Sequence, residues 1–204
     1  FEPGVPAAVL GGDAPFIQIY TSGTTGRPKG VVVPIRALAS FRAYAEFGLD
    51  LRADDLYWCA ADPGWAYGLY FGVLASFSTG TTGLLVQGGF SPAVTFAVLD
   101  RYCVTNFAAA PTVYRALRSS NLLVPTELKL RCASSAGEPL TPDVNAWALT
   151  SLGVAVHDHY GQTEAGPVLS FNPVRGVAKP GSVGIPVPQT EIRILQGEIL
   201  ARGP

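Results

Sequence analysis

The sequence predicts an α/β protein: a mostly parallel sheet flanked by helices, followed by the start of a small antiparallel β subdomain. Short apolar runs alternate with helical segments from Phe16 to Asp158, as in a parallel sheet covered on both faces. After residue 167, strand-like runs alternate instead with Gly/Pro turns. Of 204 residues, 48% are hydrophobic and only 14% charged, about half the usual charged share, so the chain can bury a core. The expected units are residues 1–167 as the α/β core and 168–204 as the beginning of the β subdomain.

The elements follow in order. Residues 1–15 are Pro/Gly-rich and read as an incoming loop. Phe16 to Tyr20 is short, aromatic and β-branched, hence a strand, and a polar loop runs from Thr21 to Gly30. In 35–47, Leu38, Phe41, Ala45 and Phe47 recur at roughly helical spacing. Leu56 to Ala60 reads as a strand, Asp62-Pro63-Gly64 as a turn, 66–78 as a buried helix and Leu84 to Gln87 as a strand. Pro92 to Tyr102 is helical, with Ser91 as N-cap and Pro at the first position. A strand at Val104–Ala109, a helix at Pro111–Ser119 and a strand at Leu128–Ala133 come next. A helix over 141–151 is capped by Thr141, and a strand at Val154–Asp158 closes the α/β pattern. The β subdomain takes Val168–Phe171, Ser182–Ile185, Glu191–Leu195 and Glu198–Ala201.

Composition excludes several classes. A net charge of −1 argues against a nucleic-acid binder that works by neutralising phosphates. The longest charge-free apolar stretch, about Trp65 to Phe77, is too short for a bilayer span of about 20 residues. Cys59, Cys103 and Cys132 lie far apart with no metal-ligand spacing. They read as three buried small hydrophobes in a reducing compartment, and the expected location is cytoplasmic. The chain begins at Phe1 and contains no Met, so it reads as an excised piece. Its cut faces are expected to expose apolar surface and to invite self-association.

The most informative segment is Tyr20 to Gly30, Y-T-S-G-T-T-G-R-P-K-G. Ser22, Thr24 and Thr25 interleave with Gly23 and Gly26, and Lys29 supplies a cation. Glycines let the backbone turn several N–H groups inward, and hydroxyls add donors, so the loop suits an oligophosphate. It follows a strand, where ligand loops of open α/β sheets sit. It is not a Walker A loop, because Lys29 is followed by Gly30 rather than Ser or Thr.

T-S-G-T-T-G-R-P-K-G resembles the signature loop of the adenylate-forming superfamily, which includes acyl-CoA synthetases, luciferases and peptide-synthetase adenylation domains. Four further segments agree in order: A-D-P-G-W-A-Y-G (61–68), S-S-A-G-E-P-L (134–140), H-Y-G-Q-T-E-A-G (159–166) and P-G-S-V-G-I-P-V-P (180–188). They resemble the acyl-pocket segment, the adenine-side loop and the next two core motifs of the large domain of AMP-dependent acyl-CoA synthetases.

The resemblance implies joining of a carboxylate to the α-phosphate of ATP, release of pyrophosphate, and attack on the acyl adenylate by coenzyme A. Thr21, Ser22, Gly23, Thr24, Thr25, Gly26 and Lys29 would hold the departing phosphates, a task for fixed donors. Tyr160 would stack on adenine, with Gly161 and Gln162 beside it, and Thr163 would bond the α-phosphate. Glu164 would ligate Mg2+, a hard cation preferring oxygen. The backbone of Gly137, Glu138 and Pro139 would line the adenine pocket. Taken alone, Tyr160 reads as a core aromatic and Glu164 as a solvated carboxylate. His157 and His159 alternate along a strand, lack a third ligand in the sequence, and are read as structural or substrate-lining rather than as zinc ligands.

Acetyl-specific members of the family place Trp directly before Q-T-E, and here that position is Gly161. A missing indole leaves room for several methylenes, so the expected acid is medium-chain, branched or aromatic, with Trp65, Tyr67 and Gly68 as further pocket wall. The FDxS pattern of amino-acid-activating relatives is absent. The family's Tyr-x-Thr-Gly-Asp motif, hinge and C-terminal lysine domain are not among these residues, so the chain alone is expected to have little or no ligase activity. Two other readings stay open: a carrier-protein-loading adenylation domain, and a non-catalytic nucleotide- or acyl-binding module.

Overall fold

The computed structural model describes residues 4 and 6 and residues 8–22, 26–165, 168–174 and 181–203. Among them the central feature is a seven-stranded sheet in the order β4-β3-β5-β6-β7-β8-β9. Strands β3 (Leu56–Cys59), β4 (Thr82–Leu84), β5 (Asn106–Ala108), β6 (Cys132–Ala136) and β7 (Val156–Gly161) pair in parallel. Strands β8 (Val168–Phe171) and β9 (Ile185–Pro186) extend the β7 edge antiparallel.

The chain leaves β3 for β4 on one side, then returns past β3 to β5, β6 and β7 on the other. Parallel crossovers are right-handed, so reversing direction moves the connecting helices to the opposite face. One face carries α1 (Ala37–Phe47), a π-helix (Gly68–Leu74) and α2 (Ala75–Thr79); the other carries α3 (Pro92–Arg101), α4 (Pro111–Ser119) and α5 (Pro142–Ser151). Strand alternation divides the core accordingly. In β3, Tyr57 and Cys59 pack with α1 and the π-helix, while Trp58 packs with α3 and α4. A buried aromatic cluster fills the first face: Phe41 stacks on Tyr70 with ring centroids 4.6 Å apart, and Phe71 meets Tyr44 edge-on at 4.4 Å.

At the N-terminal ends of β3, β5 and β6, Asp55, Thr105 and Arg131 form one network. Arg131 Nε donates to Asp55 Oδ1 at 2.9 Å and Thr105 Oγ1 donates to the same oxygen at 2.7 Å; Arg131 also pairs with Asp50. Burial would raise the Asp55 pKa, but the hydrogen bonds from Arg131 and Thr105 outweigh it and hold the carboxyl below its ordinary value.

Several sequence expectations need correction. The strand beginning near Phe16 is β1 (Pro15–Thr21), and it is not part of the parallel sheet: it pairs antiparallel with β2 (Lys29–Pro34) in a separate hairpin. The run Val31-Val32-Val33 supplies the β-branched partner strand, so the Gly/Ser/Thr loop lies between two hairpin strands and does not follow a strand of the parallel sheet. Strand β6 starts four residues later than expected, and Ser134 and Ser135 lie inside it, fully buried. Strands β4 and β7 are likewise displaced, the latter running through Tyr160 and Gly161. The segment expected to be one buried helix is a π-helix over Gly68–Leu74 that continues into α2. At its first residue glycine is required: a Cβ on Gly68 would stand 2.1 Å from the Asp62 carbonyl oxygen, so the chain presses on its own preceding turn.

Ser91 and Thr141 hold extended N-cap backbones with Pro at the first helical position, though neither side chain makes a capping bond. Cys59 and Cys132 are buried, but Cys103 is exposed in the turn after α3, at φ +53°. Beyond β9, β10 (Glu191–Leu195) and β11 (Glu198–Arg202) form their own antiparallel hairpin. Gly184, in the P-G-S-V-G-I-P run, lets that segment approach β8: a Cβ would lie 1.9 Å from the Phe171 carbonyl oxygen, and its φ is +87°. No helix among the described residues is long and apolar enough to cross a membrane.

Candidate functional site

A cavity of about 250 Å3 opens at the C-terminal ends of the parallel strands, where ligands of open α/β sheets bind. Trp65, Ala66 and Tyr67 come to it from the segment after β3, and Tyr70 and Phe71 from the π-helix. Ala136 and Gly137 close β6, Gly161, Gln162 and Thr163 close β7, and Val168 comes from β8. Most of this lining is apolar, with a few polar groups among it, as small-molecule sites require.

Three of the four residues expected to line the acyl pocket therefore meet: Trp65, Tyr67 and Gly161. Gly68 does not line it; it is buried against the Asp62 backbone. A register irregularity between Tyr160 and Gly161 interrupts the pairing of β7 with β8 beside the cavity, a position where bulges re-aim side chains. Tyr160 is half-buried and accepts a hydrogen bond from Gln162 Nε2 at 3.1 Å. Gly137 lines the cavity, whereas Glu138 pairs outward with Arg115 of α4 and Pro139 is exposed.

The other half of the expected site lies at the mouth of the β1–β2 hairpin. Thr21 stands opposite Lys29 in the hairpin register, and the Thr21 hydroxyl donates to Glu164 Oε1 at 3.2 Å. Glu164 sits in a 3-10 turn (Thr163–Ala165) directly after β7. Within that turn Thr163 faces the cavity and Glu164 the hairpin. Ser22, Gly26 and Lys29 are exposed, with Gly26 at φ +77°. The expected phosphate contacts of Gly23, Thr24 and Thr25 lie outside the described residues.

Behind the cavity is a polar chain that sequence reasoning missed. Tyr67 Oη is 3.4 Å from Tyr44 Oη, and Tyr44 Oη is 2.5 Å from His159 Nδ1. Burial and the neighbouring His157 hold the His159 imidazole down to a pKa of about 3, so it is neutral. Desolvation raises the hydroxyl pKa values of Tyr44 and Tyr67, so both remain protonated. His157 is also shifted downward, chiefly by burial. Among the described residues no three His, Cys, Asp or Glu side chains come together as a metal cluster. Tyr70 and Phe71 were missed as lining residues too; their only sequence signal is the aromatic density between Trp65 and Phe71.

The 3-10 turn after β7 thus meets the apolar cavity through Thr163 and the β1–β2 hairpin through Glu164. The family model for AMP-binding enzymes matches residues 3–204, and the chain belongs to that family. An acetyl-coenzyme A synthetase of Bacillus subtilis is 36% identical over 186 residues, covering 90% of this chain and 32% of that protein. The crystal structure of an acyl-CoA synthetase from Brucella canis superposes with a TM-score of 0.86 at 40% identity, over 95% of this chain and 36% of that one. A benzoate CoA ligase from Burkholderia xenovorans superposes with a TM-score of 0.88 at 28% identity, over 99% and 43% respectively. The chain thus spans about a third of the length of the curated relatives it matches.

Proposed function

We propose that the protein carrying this chain activates a carboxylic acid with ATP, forming an acyl adenylate and pyrophosphate, and then transfers the acyl group to coenzyme A. The observation that supports this best is the Thr21–Glu164 contact, which joins the hairpin loop to the strand end beside the apolar cavity. In this reading the acid lies against Trp65, Tyr67 and Gly161 with its carboxylate toward Thr163. Adenine lies near Gly137 and Tyr160. The phosphates extend toward the hairpin, where Ser22, Gly23, Thr24, Thr25, Gly26 and Lys29 offset the charge on the leaving pyrophosphate. Donors fixed before reaction cost no reorganisation as that charge develops.

The Glu164 carboxylate and Thr21 hydroxyl are oxygen donors that fit magnesium, which takes one or two carboxylates and completes its shell with substrate phosphates and water. Magnesium, when bound, supplies charge neutralisation on the phosphates.

The acid is a medium-chain, branched or aromatic one, because glycine at position 161 leaves the cavity open beside the strand end. Each methylene accommodated there is worth roughly 0.8 kcal/mol. The acyl acceptor is coenzyme A rather than a carrier protein. The 204 residues alone form little or no thioester, since ribose- and lysine-bearing motifs that the family resemblance implies are not among them.

The test is acid-dependent pyrophosphate release by the full-length protein with acetate, hexanoate and benzoate, followed by AMP release with coenzyme A or a phosphopantetheinyl carrier. The expected result is faster turnover of hexanoate or benzoate than of acetate, with AMP release driven by coenzyme A. Faster turnover of acetate would refute the size argument, and AMP release with the carrier alone would favour a carrier-loading domain.

A further inference from the structure

We infer that Tyr44 and His159 are positioning residues which hold the Tyr67 ring in place as a wall of the acid cavity and so set its selectivity. The inference rests on the proposed reading of that cavity as the acid site. Tyr44 lies in the last turn of α1 and is fully buried; His159 lies on β7, two residues before Gly161, and is 2% exposed. Neither lines the cavity, yet the chain His159–Tyr44–Tyr67 ends on a residue that does.

Tyr44 is the link in this chain. Its hydroxyl meets the buried His159 Nδ1 at 2.5 Å and Tyr67 Oη at 3.4 Å, the imidazole tautomer deciding which group donates in the first contact.

Packing reinforces this. Phe71, itself a lining residue, meets Tyr44 edge-on at 4.4 Å and Tyr67 at 5.3 Å, and the Tyr44 and His159 rings meet edge-on at 5.4 Å. Rotating Tyr67 thus breaks a hydrogen bond and disturbs an aromatic cluster together. A wall held this way accepts only acids that fit its fixed shape, because well-packed cores resist displacement.

The experiment uses the full-length protein with Tyr44→Phe and His159→Gln, measuring adenylate formation with butyrate, hexanoate, benzoate and a para-substituted benzoate. Tyr44→Phe removes one oxygen and little volume, so it carries the test even where His159→Gln fails to fold. The expected result is a KM for the best acid raised about fivefold to tenfold, the scale of one lost hydrogen bond. The maximal rate and the KM for ATP stay within about twofold, and the bulkiest acid gains relative to the best one. The double variant is expected to be no worse than the more damaged single variant, since both act through one chain. An unchanged acid profile in an active Tyr44→Phe protein overturns the inference alone, as does an equal rise in the KM values for acid and ATP. A wild-type protein that adenylates none of the acids overturns the reading of the cavity, and this inference with it.

Discussion

The Thr21 hydroxyl reaches the Glu164 carboxylate across 3.2 Å although 143 residues separate them in sequence. The contact brings a separate two-stranded hairpin to the strand end that bears the cavity. Thr163, adjacent to Glu164, lines that cavity, so one 3-10 turn serves both halves of the site.

Lys29 stands opposite Thr21 in the hairpin, where directly paired side chains lie about 5 Å apart. Lys29→Gln in the full-length protein is expected to slow adenylate formation by about 100-fold, the low end for loss of one electrostatic stabiliser. The KM for the acid should stay unchanged. Pre-steady-state pyrophosphate release measures the first quantity, and a rise confined to the acid KM would contradict it.

Gly161 lines the cavity beside Trp65 and Tyr67. Gly161→Trp is expected to lower kcat/KM for hexanoate about 50-fold relative to acetate, from roughly three methylenes at 0.8 kcal/mol each. A competition assay with the two acids reads the ratio directly. An unaltered ratio would mean that this face of the cavity does not meet the acid.

Asp55 and Arg131 tie together the ends of β3, β5 and β6 that lie away from the cavity. Asp55 is 4% exposed, and removing one partner of such a pair costs about 3 kcal/mol. Arg131→Met should therefore lower the unfolding midpoint in denaturant while leaving the acid profile unaltered. The folded-state pKa of Asp55 lies below its ordinary value of 3.8. Its contribution to stability is thus full above pH 3.8 and is lost as pH falls through the folded pKa.

His159 gives a separate pH signature. Its folded pKa of about 3 lies below the ordinary 6.5. Between those values the unfolded chain binds a proton that the folded chain refuses, so stability falls as pH drops from 6.5 toward 3. His159→Leu should flatten this part of the stability curve. Denaturant titrations at pH 7, 5.5 and 4.5 check it, and parallel curves for the two proteins would contradict it.

How much of this was legible in the sequence depends on the kind of residue. Strand–helix alternation is written in apolar periodicity, so α3, α4, α5 and β8 lie close to where the pattern predicts them. Strand β6 was displaced because Ser134 and Ser135 look polar, yet small side chains are what two helix layers tolerate at the centre of the sheet. Strand β2 was hidden because Val31 to Val33 directly follow a Gly-rich loop, and nothing local says that the run turns back on β1. The π-helix at Gly68–Leu74 was not read, because periodicity does not separate a π turn from an α turn. At the site, motif residues were readable one by one. The Tyr44–His159 bond was not, because Tyr44 looks like any core aromatic and its partner lies 115 residues away.

The most direct measurement is acid-dependent exchange of labelled pyrophosphate into ATP by the full-length protein, wild type against Glu164→Gln. Exchange is expected in the wild type, with a loss of at least about 100-fold in the variant and a smaller loss in the same direction in Thr21→Val. Exchange at the wild-type rate in Glu164→Gln would contradict that expectation.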